Sequence, residues 1–205
     1  SKWKNLAGLK FIDFIQKESF YQFLEDQDVI DNVEGIFHMG ACSSTTEMDM
    51  DFLCDNNYYF SQACFHWCTM HDKKFIYASS AATYGEGENG FDDKTDSNQL
   101  LPLNPYGYSK VLFDRWVDQQ EVKPKVCTGL KFFNVFGPNE YHKEDMASIV
   151  YKAFHQISEK GSLKLFRSHR EDYKDGEQMR DFVYVKDITR WMCEIMERDS
   201  LQGLF

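Results

Sequence analysis

Tyr106 and Lys110 stand four residues apart in the run Asn104-Pro105-Tyr106-Gly107-Tyr108-Ser109-Lys110. Upstream, Ala78-Ser79-Ser80-Ala81-Ala82-Thr83-Tyr84-Gly85 closes an apolar stretch. A free phenol titrates near 10 and is a poor base at neutral pH. A lysine four residues further along a helix lies on the same face, and its positive charge favours the phenolate. A serine hydroxyl at the end of a neighbouring strand can hold a substrate oxygen in line with that phenol. Tyr-x-x-x-Lys alone is a weak pattern, because any helix can carry it by chance. Joined to a serine block it is an acid/base set suited to moving hydride between a nicotinamide and a carbon–oxygen centre. Tyr108 has no lysine four residues on, so Tyr106 is the better candidate. Ser79 is the neighbour with which Ser80 could be confused.

The elements that must position these groups follow from hydrophobic spacing. Gly35 to Met39 reads as a short strand, Lys74 to Ala78 as a second and Val126 to Phe133 as a third. Leu163–Phe166 and Phe182 to Val185 read as further strands, and Gly203-Leu204-Phe205 as the start of one that the chain does not finish. Helices are expected over 17–26, 47–70, 106–120 with Pro105 just before it, 145–158, and from a cap at Asp187 to about 197. Residues 86–100 and 167–179 are polar and turn-rich, and read as surface loops. The aromatics at 58–67 read as core rather than as a stacking platform. Strands alternating with helices predict an α/β fold, a Rossmann-like parallel sheet with helices on both faces. The glycine-rich turn that normally opens a dinucleotide fold is absent. That absence, with the unfinished last strand, leads us to expect a fragment lacking N- and C-terminal parts of the fold.

Composition bounds the function. Of 205 residues, 42% are hydrophobic, enough for a sizeable core, and the formal net charge of -10 argues against nucleic acid or an anionic membrane surface as partner. No apolar run is long enough to span a membrane, and the N-terminus lacks the apolar core of a signal peptide. Six cysteines, at 42, 54, 64, 68, 127 and 193, are scattered in a chain that does not need disulfide staples, so reduced thiols and a cytoplasmic location are expected. Cys64 and Cys68 flank His66, but no second cluster completes the ligand set of a zinc site, and no metal is expected.

The chain resembles the ADP-L-glycero-D-manno-heptose 6-epimerases, within the extended short-chain dehydrogenase/reductases. The resemblance runs through Phe37 to Glu47 (Phe-His-Met-Gly-Ala-Cys-Ser-Ser-Thr-Thr-Glu), Asp55-Asn56-Asn57-Tyr58, Tyr77 to Gly85 and Pro105 to Lys110. It continues through Phe133 to Pro138, His142-Lys143, Met146-Ala147-Ser148 and Arg180 to Val185. The serine block, Tyr-x-x-x-Lys and Phe-Asn-x-x-Gly-Pro are shared widely among relatives. Ala-Cys-Ser-Ser-Thr-Thr-Glu and His-Lys before Met-Ala-Ser are more specific to the heptose epimerases.

The resemblance implies an isomerase that inverts carbon 6 of the heptose in a nucleotide sugar, ADP-heptose, by transient oxidation and re-reduction with NADP, for lipopolysaccharide core synthesis. It implies an incomplete NADP-binding domain over 1–134 and 182–205 and part of a substrate lobe over 135–181. Tyr106 and Lys143 would be alternate acid/base groups, Ser80 would bind the reacting oxygen and Lys110 would hold the nicotinamide ribose. Lys2, Lys17, Met39, Gly40, Ala41, Cys42, Ser43, Asn56 and Val135 would line the cofactor, with Lys110 and Lys143. Ser80, Asn134, Asp145, Lys152, Phe166, Arg167, Ser168, His169 and Arg180 would meet the substrate. Asp145 stands where a small hydroxyl residue is common, and Lys152 where a histidine is common. A homo-oligomer, of which a pentamer is one form, is implied as well.

Two rival readings stay open. One is a related enzyme acting on another nucleotide sugar, a 4-epimerase or a 4,6-dehydratase. A dehydratase usually needs an acidic pair beside the serine, where this chain has Ala81-Ala82. The other is a non-catalytic relative that binds a dinucleotide, against which Ser80, Tyr106 and Lys110 argue together.

Overall fold

The computed structural model describes residues 2–168, 171 and 174–205. In chain order its elements are α1 (Phe20–Leu24), α2 (Gln27–Asn32), β1 (Gly35–His38), α3 (Met50–Leu53), a π-helical segment (Cys54–Tyr59), α4 (Phe60–Met70), β2 (Lys74–Ser80), α5 (Pro105–Asp118), β3 (Val126–Phe132), β4 (Asn134–Phe136), α6 (Ile149–Lys160), β5 (Phe182–Tyr184), α7 (Val185–Glu197) and β6 (Gln202–Leu204). Short 3-10 turns lie between several of them. The chain divides into two compact units. One holds Lys10–Phe132 with Trp191–Phe205, and the other holds Ser1–Leu9 with Phe133–Arg190.

The first of these units carries a four-stranded sheet in the order β1-β2-β3-β6. Every pairing in it is parallel, with Lys74 opposite Val126, Ser80 opposite Phe132 and Gly35 opposite Lys74. β2 and β3 are buried along most of their length, the pattern of strands covered on both faces. The expected parallel α/β sheet is therefore what the sequence forms. Its main core gathers Leu24, Val29, Phe65, Trp67, Cys68, Phe75, Tyr77, Phe113 and Val117. Phe65 meets Phe75 edge-on at 6.0 Å and Trp116 at 5.0 Å, so these aromatics are core.

Helix boundaries are set by side chains that take up orphan amides. Asn104 accepts from the Gly107 amide at 2.8 Å, with Pro105 inside the first turn of α5 rather than before it. Asp49 caps α3 by accepting from the Phe52 amide at 3.0 Å. The expected helix over 17–26 forms as a 3-10 turn over Lys17–Ser19 followed by α1, which stops at Leu24, and the Asp26 carboxylate accepts from the Asp28 amide at 2.9 Å to start α2. Residues 50–70 are helical throughout, but their middle is wound as a π-helix.

The other unit pairs β4 with β5 in parallel, Asn134 opposite Phe182 and Phe136 opposite Tyr184. Ser148 caps α6, accepting from the Tyr151 amide at 3.1 Å. Helix α6 ends at Gly161, whose φ of +65° suits a residue without a Cβ. The strand expected at Leu163–Phe166 does not form. Lys164 to Phe166 are exposed, and the Lys164 amide bonds at 3.3 Å to the side chain of Gln156 rather than to a neighbouring strand. Asp187 is not a cap but lies in the first turn of α7, which follows β5 directly.

Candidate active site

Strand β2 and helix α5 bring the reactive trio together. Ser80 is the last residue of β2, and its hydroxyl accepts from the Ala82 amide at 3.1 Å to begin a 3-10 turn over Ala81–Tyr84. Tyr106 and Lys110 lie one turn apart on the buried face of α5. The first turn of that helix approaches the serine turn closely enough to exclude a side chain. A Cβ on Gly107 would lie 2.8 Å from the Ala82 carbonyl oxygen. Gly85 closes the serine turn at φ +64°, where a Cβ would lie 2.0 Å from the Leu101 carbonyl oxygen.

The electrostatics differ from the simple expectation of a phenol lowered by its lysine. Burial holds Tyr106 above its ordinary value, with a hydrogen bond to Ser80 pulling it down and Cys42 adding a smaller push upward. Lys110 is brought down to about 8 by burial, against the attraction of Asp114 and Cys42. The desolvation of a phenolate outweighs the favourable terms, so the phenol is the resting form. The Lys110 ammonium donates to the Ala78 carbonyl at 2.9 Å.

Below Lys110 on the same helical face is Asp114, fully buried and surrounded by donors. Ser79 donates to its Oδ2 at 2.6 Å and Tyr77 to its Oδ1 at 3.1 Å. The Lys131 ammonium lies 3.5 Å from Oδ2 and donates to Thr83 Oγ1 at 2.8 Å. Burial pushes the Asp114 carboxyl up, opposed by Lys131, Ser79, Tyr77 and Lys110. Ser79 therefore points to Asp114, which separates its role from that of Ser80.

The loop that leaves β1 is fastened to this corner by Asn57. Its Oδ1 accepts from the Cys42 amide at 2.8 Å, and its Nδ2 donates to the Cys42 carbonyl and to Ser109 Oγ, each at 3.0 Å. Ser109 donates to the Tyr106 carbonyl at 2.7 Å. Met39, Gly40, Ala41 and Ser43 are exposed along that loop. Lys17 donates to Asn56 Oδ1, so these two expected cofactor residues are brought together, and the Lys17 ammonium lies 5.3 Å from the Phe60 ring centre. His38, at the end of β1, is buried with Nε2 2.7 Å from Ser61 Oγ, and burial lowers it to about 4, with Lys110 adding to the effect.

The other unit places the remaining candidates on turns. Lys143 is exposed, its ammonium 3.9 Å from Glu140 Oε2. Glu140 is buried and gathers the turn around itself. It accepts from the Gly137 amide at 3.0 Å, the Ser148 amide at 2.7 Å and the Ser148 hydroxyl at 2.8 Å. Those bonds, with the Lys143 charge, outweigh burial and hold its carboxyl below the usual range. Lys2 sits on the 3-10 turn Lys2–Leu6, whose Asn5 bonds to the Asn139 carbonyl at 3.3 Å and to the Tyr141 hydroxyl. Val135 lies within β4, and Asn134 donates to the Asp181 carbonyl at 2.9 Å. Lys152 donates to the Asp145 carbonyl at 2.7 Å, so these two are neighbours. Phe166, Arg167 and Ser168 form a strip tied back by Gly176, whose amide bonds Phe166 O at 2.9 Å, and by Asp175, which accepts from the Ser168 amide at 2.8 Å. His169 lies outside the described residues. Arg180 is exposed and donates to the Met179 carbonyl at 2.7 Å, not to Asp181 or Glu177 as a surface pairing would require.

Sequence reasoning missed Asp114, Lys131, Asn57 and Glu140. Asp114 could have been found, since it repeats the four-residue spacing from Tyr106 through Lys110. Lys131 becomes a neighbour only through the β2–β3 register, in which Ser79 faces Lys131. Among the described residues, no group of three or more His, Cys, Asp or Glu side chains is placed to hold a metal ion, and the six cysteines are free thiols. No helix among them is long and apolar enough to cross a membrane.

Comparison with known proteins agrees with this arrangement. The model of the NAD dependent epimerase/dehydratase family matches residues 5–203. The chain is 47% identical over 207 residues to an ADP-L-glycero-D-manno-heptose-6-epimerase of Fusobacterium nucleatum, covering all of this chain and 62% of the relative. It is also 47% identical to the protein of that name from Nitratidesulfovibrio vulgaris, covering 63% of it. The chain thus spans about three fifths of the curated relatives it matches. Among solved structures it resembles the Helicobacter pylori ADP-L-glycero-D-manno-heptose-6-epimerase, with a TM-score of 0.79 and 29% identity over 99% of this chain and 61% of the other. A Bacillus cereus UDP-glucuronic acid 4-epimerase in complex with NAD, at 21% identity and a TM-score of 0.69 over 99% of this chain and 62% of the other, shares the fold. With a serine-ended strand and a Tyr-x-x-x-Lys helix packed together on a parallel sheet, and a family model matched along nearly its whole length, this chain belongs to the NAD dependent epimerase/dehydratase family.

Proposed function

We propose that the protein carrying this chain is an NADP-dependent isomerase that inverts carbon 6 of the heptose in ADP-D-glycero-D-manno-heptose to the L-glycero form, for lipopolysaccharide core synthesis. The proposal includes a cytoplasmic location and a homo-oligomeric assembly. The observation that carries it is the packing of Ser80, Tyr106 and Lys110 at one buried corner of a parallel sheet, in a chain 47% identical along its length to proteins named for that reaction.

The residues present suit a nicotinamide dinucleotide. The corner lies where β1 and β2 end, the edge at which ligands bind in open parallel sheets. A buried ammonium, Lys110, and a loop fixed through Cys42 by Asn57 adjoin it. Lys110 would hold the nicotinamide ribose, with Met39 to Ser43, Lys17 and Asn56 along the cofactor; Lys2 and Val135 are proposed as cofactor residues on the resemblance. Bound there, the nicotinamide supplies reversible hydride transfer at carbon 6.

The chain's own groups manage the protons. In one orientation of the sugar Tyr106, as a transient phenolate, takes the proton of the 6-hydroxyl as the carbonyl forms, and returns it when that same epimer is re-formed. Ser80 donates to the same oxygen and keeps it in line. Lys110 lowers the cost of the transient phenolate. Inversion needs a second proton carrier for the opposite orientation of the sugar, and Lys143 is the group proposed for it. The Asn134 side chain, Asp145, Lys152, the strip Phe166–His169 and Arg180 would contact the nucleotide sugar, the guanidinium suiting a diphosphate.

The test supplies ADP-D-glycero-D-manno-heptose to the full-length protein with NADP, and follows the sugar by proton nuclear magnetic resonance. Conversion to the L-glycero epimer with no lasting change in nicotinamide absorbance is expected. Lasting reduction of nicotinamide, or loss of water from the sugar, would replace this reading with a dehydrogenase or a dehydratase.

A further inference from the structure

The buried carboxylate of Asp114 has no part in the proton steps just described, yet it stands directly below them. Every partner named for it is a donor. Tyr77 and Ser79 come from β2, Lys131 from β3, and its own helix adds the charge of Lys110. A carboxylate accepts through both oxygens and donates through neither, so this set fits its ionised form. A buried charge is kept only where it is paired or bonded. Lys110 in turn is buried, and among the described residues its ammonium donates to the Ala78 carbonyl. A neutral carbonyl does not compensate a full positive charge. The charged and titratable groups around Lys110 are Asp114 one turn further along α5, Tyr106 one turn before it, His38 at the end of β1 and Cys42 in the loop after it, with Lys131 and Tyr77 beyond Asp114. Of these, Asp114 is the carboxylate. Lys131, 3.5 Å from Oδ2, competes for it, so the negative charge is shared between two ammonium groups.

We infer that Asp114 is a positioning residue for the proton chemistry: anchored by Ser79 and Tyr77 and shared with Lys131, its carboxylate keeps the Lys110 ammonium charged beside Tyr106. The inference deepens the epimerase reading and rests on it for what Tyr106 does. Burial alone favours loss of the Lys110 proton, and the attraction of Asp114 opposes that loss. A neutral Lys110 would leave the Tyr106 phenolate without support, and the reaction would slow without any change in the fold.

The charge on Lys110 can be read directly, without turnover. Lysine is labelled with carbon-13 at Cε in the intact protein, Lys110→Arg assigns the signal, and the signal is followed against pH. Asp114→Asn keeps the shape and removes the charge. The Lys110 midpoint is expected to fall by about one pH unit or more, a tenfold change in its ionisation. Lys131→Met is expected to move it the opposite way, because Asp114 then serves one ammonium. Circular dichroism checks folding. A folded Asp114→Asn protein with an unmoved Lys110 midpoint would reduce Asp114 to a structural ion pair. If Asp114→Asn fails to fold, an unmoved midpoint in Lys131→Met overturns the inference equally. Turnover adds an independent readout. The acid limb of the wild-type rate profile should shift upward in Asp114→Asn, whereas a purely structural defect lowers the rate at every pH alike. Absence of epimerisation by the wild type would remove the proposed function while leaving the Lys110 titration to decide this inference.

Discussion

The two sets of candidate proton carriers are built in opposite ways. Tyr106 and Lys110 are fixed on the buried face of a fourteen-residue helix, against a strand end, with Asp114, Lys131 and Asn57 bonded around them. Lys143 sits on an exposed turn, and its local support is one buried carboxylate, Glu140, that also fastens the amides of Gly137 and Ser148. In the first region, position and charge are set by the fold itself. In the second, the side chain is exposed to solvent while the backbone beneath it is held. A group that must keep a fixed line to the cofactor gains from the first design. One that need only reach the sugar in its opposite orientation can be carried by the second.

The sharpest way to break this contrast is to remove each carrier. In the full-length protein, Tyr106→Phe and Lys143→Met should each slow epimerisation by about 10²–10⁴. In a single turnover the two should differ, each still reducing bound NADP with the epimer that the other cannot use. Near ultraviolet absorbance of the nicotinamide reads this. A Lys143→Met protein turning over at nearly the wild-type rate would make Lys143 an ordinary surface lysine and leave one carrier, not two.

Stability should divide the regions next. Asp114→Ala breaks a buried ion pair and strands Lys131, at a cost of roughly 3–5 kcal/mol in denaturant unfolding. Lys143→Met removes an exposed ammonium 3.9 Å from Glu140, whose carboxylate keeps its bonds from Gly137 and Ser148, and should change stability by less than about 0.5 kcal/mol. Equal losses would erase the distinction between a built-in and an added group.

Acid should then act on both regions through opposite chemistry. Buried His38 must gain a charge. Its value falls from the ordinary 6.5 to about 4 in the fold, so the unfolded chain binds more protons between those limits. Its contribution is complete above pH 6.5 and is lost as pH falls through 4, amounting to roughly 3 kcal/mol. Glu140 must lose a charge, and because its carboxyl is held low, its contribution also disappears on acidification. His38→Gln should flatten the stability profile between about pH 4 and 6.5 when unfolding is repeated at intervals of pH. A profile as steep as the wild type would mean that His38 is not the group that titrates.

The smallest effect concerns the nucleotide sugar. Arg180→Met should weaken its binding about tenfold, equivalent to ~1.5 kcal/mol, and leave cofactor affinity unchanged. Calorimetry with each ligand separates the two, and an unaltered sugar affinity would take Arg180 out of the site.

What could be read from the sequence follows the same divide. The Tyr106–Lys110 face and the serine at a strand end are local, carried by a four-residue spacing and a single apolar run, and the parallel sheet follows from alternating periodicity. The partners of Asp114 come from two strands and a helix, and only strand register brings them together. Leu163–Phe166 read as a strand because its composition is apolar, but a strand also needs a neighbour, which composition does not reveal. The helix expected over 17–26 stops at Leu24, because Asp26, a residue equally at home inside a polar face and at a cap, starts the next helix. The roles of Lys143, Asp145, Lys152 and Arg180 rest on resemblance, since an exposed polar residue on a turn carries no local signature of what it meets.

The π-helical segment Cys54–Tyr59 gives the helical stretch 50–70 two independent faces. One end presents Asn57 to Cys42 and Ser109, and the other buries Phe65 and Cys68 in the core. A π turn holds one residue more than an α turn, so deleting one residue within Cys54–Tyr59 can be absorbed as plain α-helix, whereas deleting one between Phe60 and Phe65 would swing the two faces about 100° out of phase. Substitutions on the outer side leave that phase untouched. The spacing from Asn57 to Phe65, together with the identity of Asn57, is therefore what this part of the chain cannot change without releasing the loop beside Tyr106.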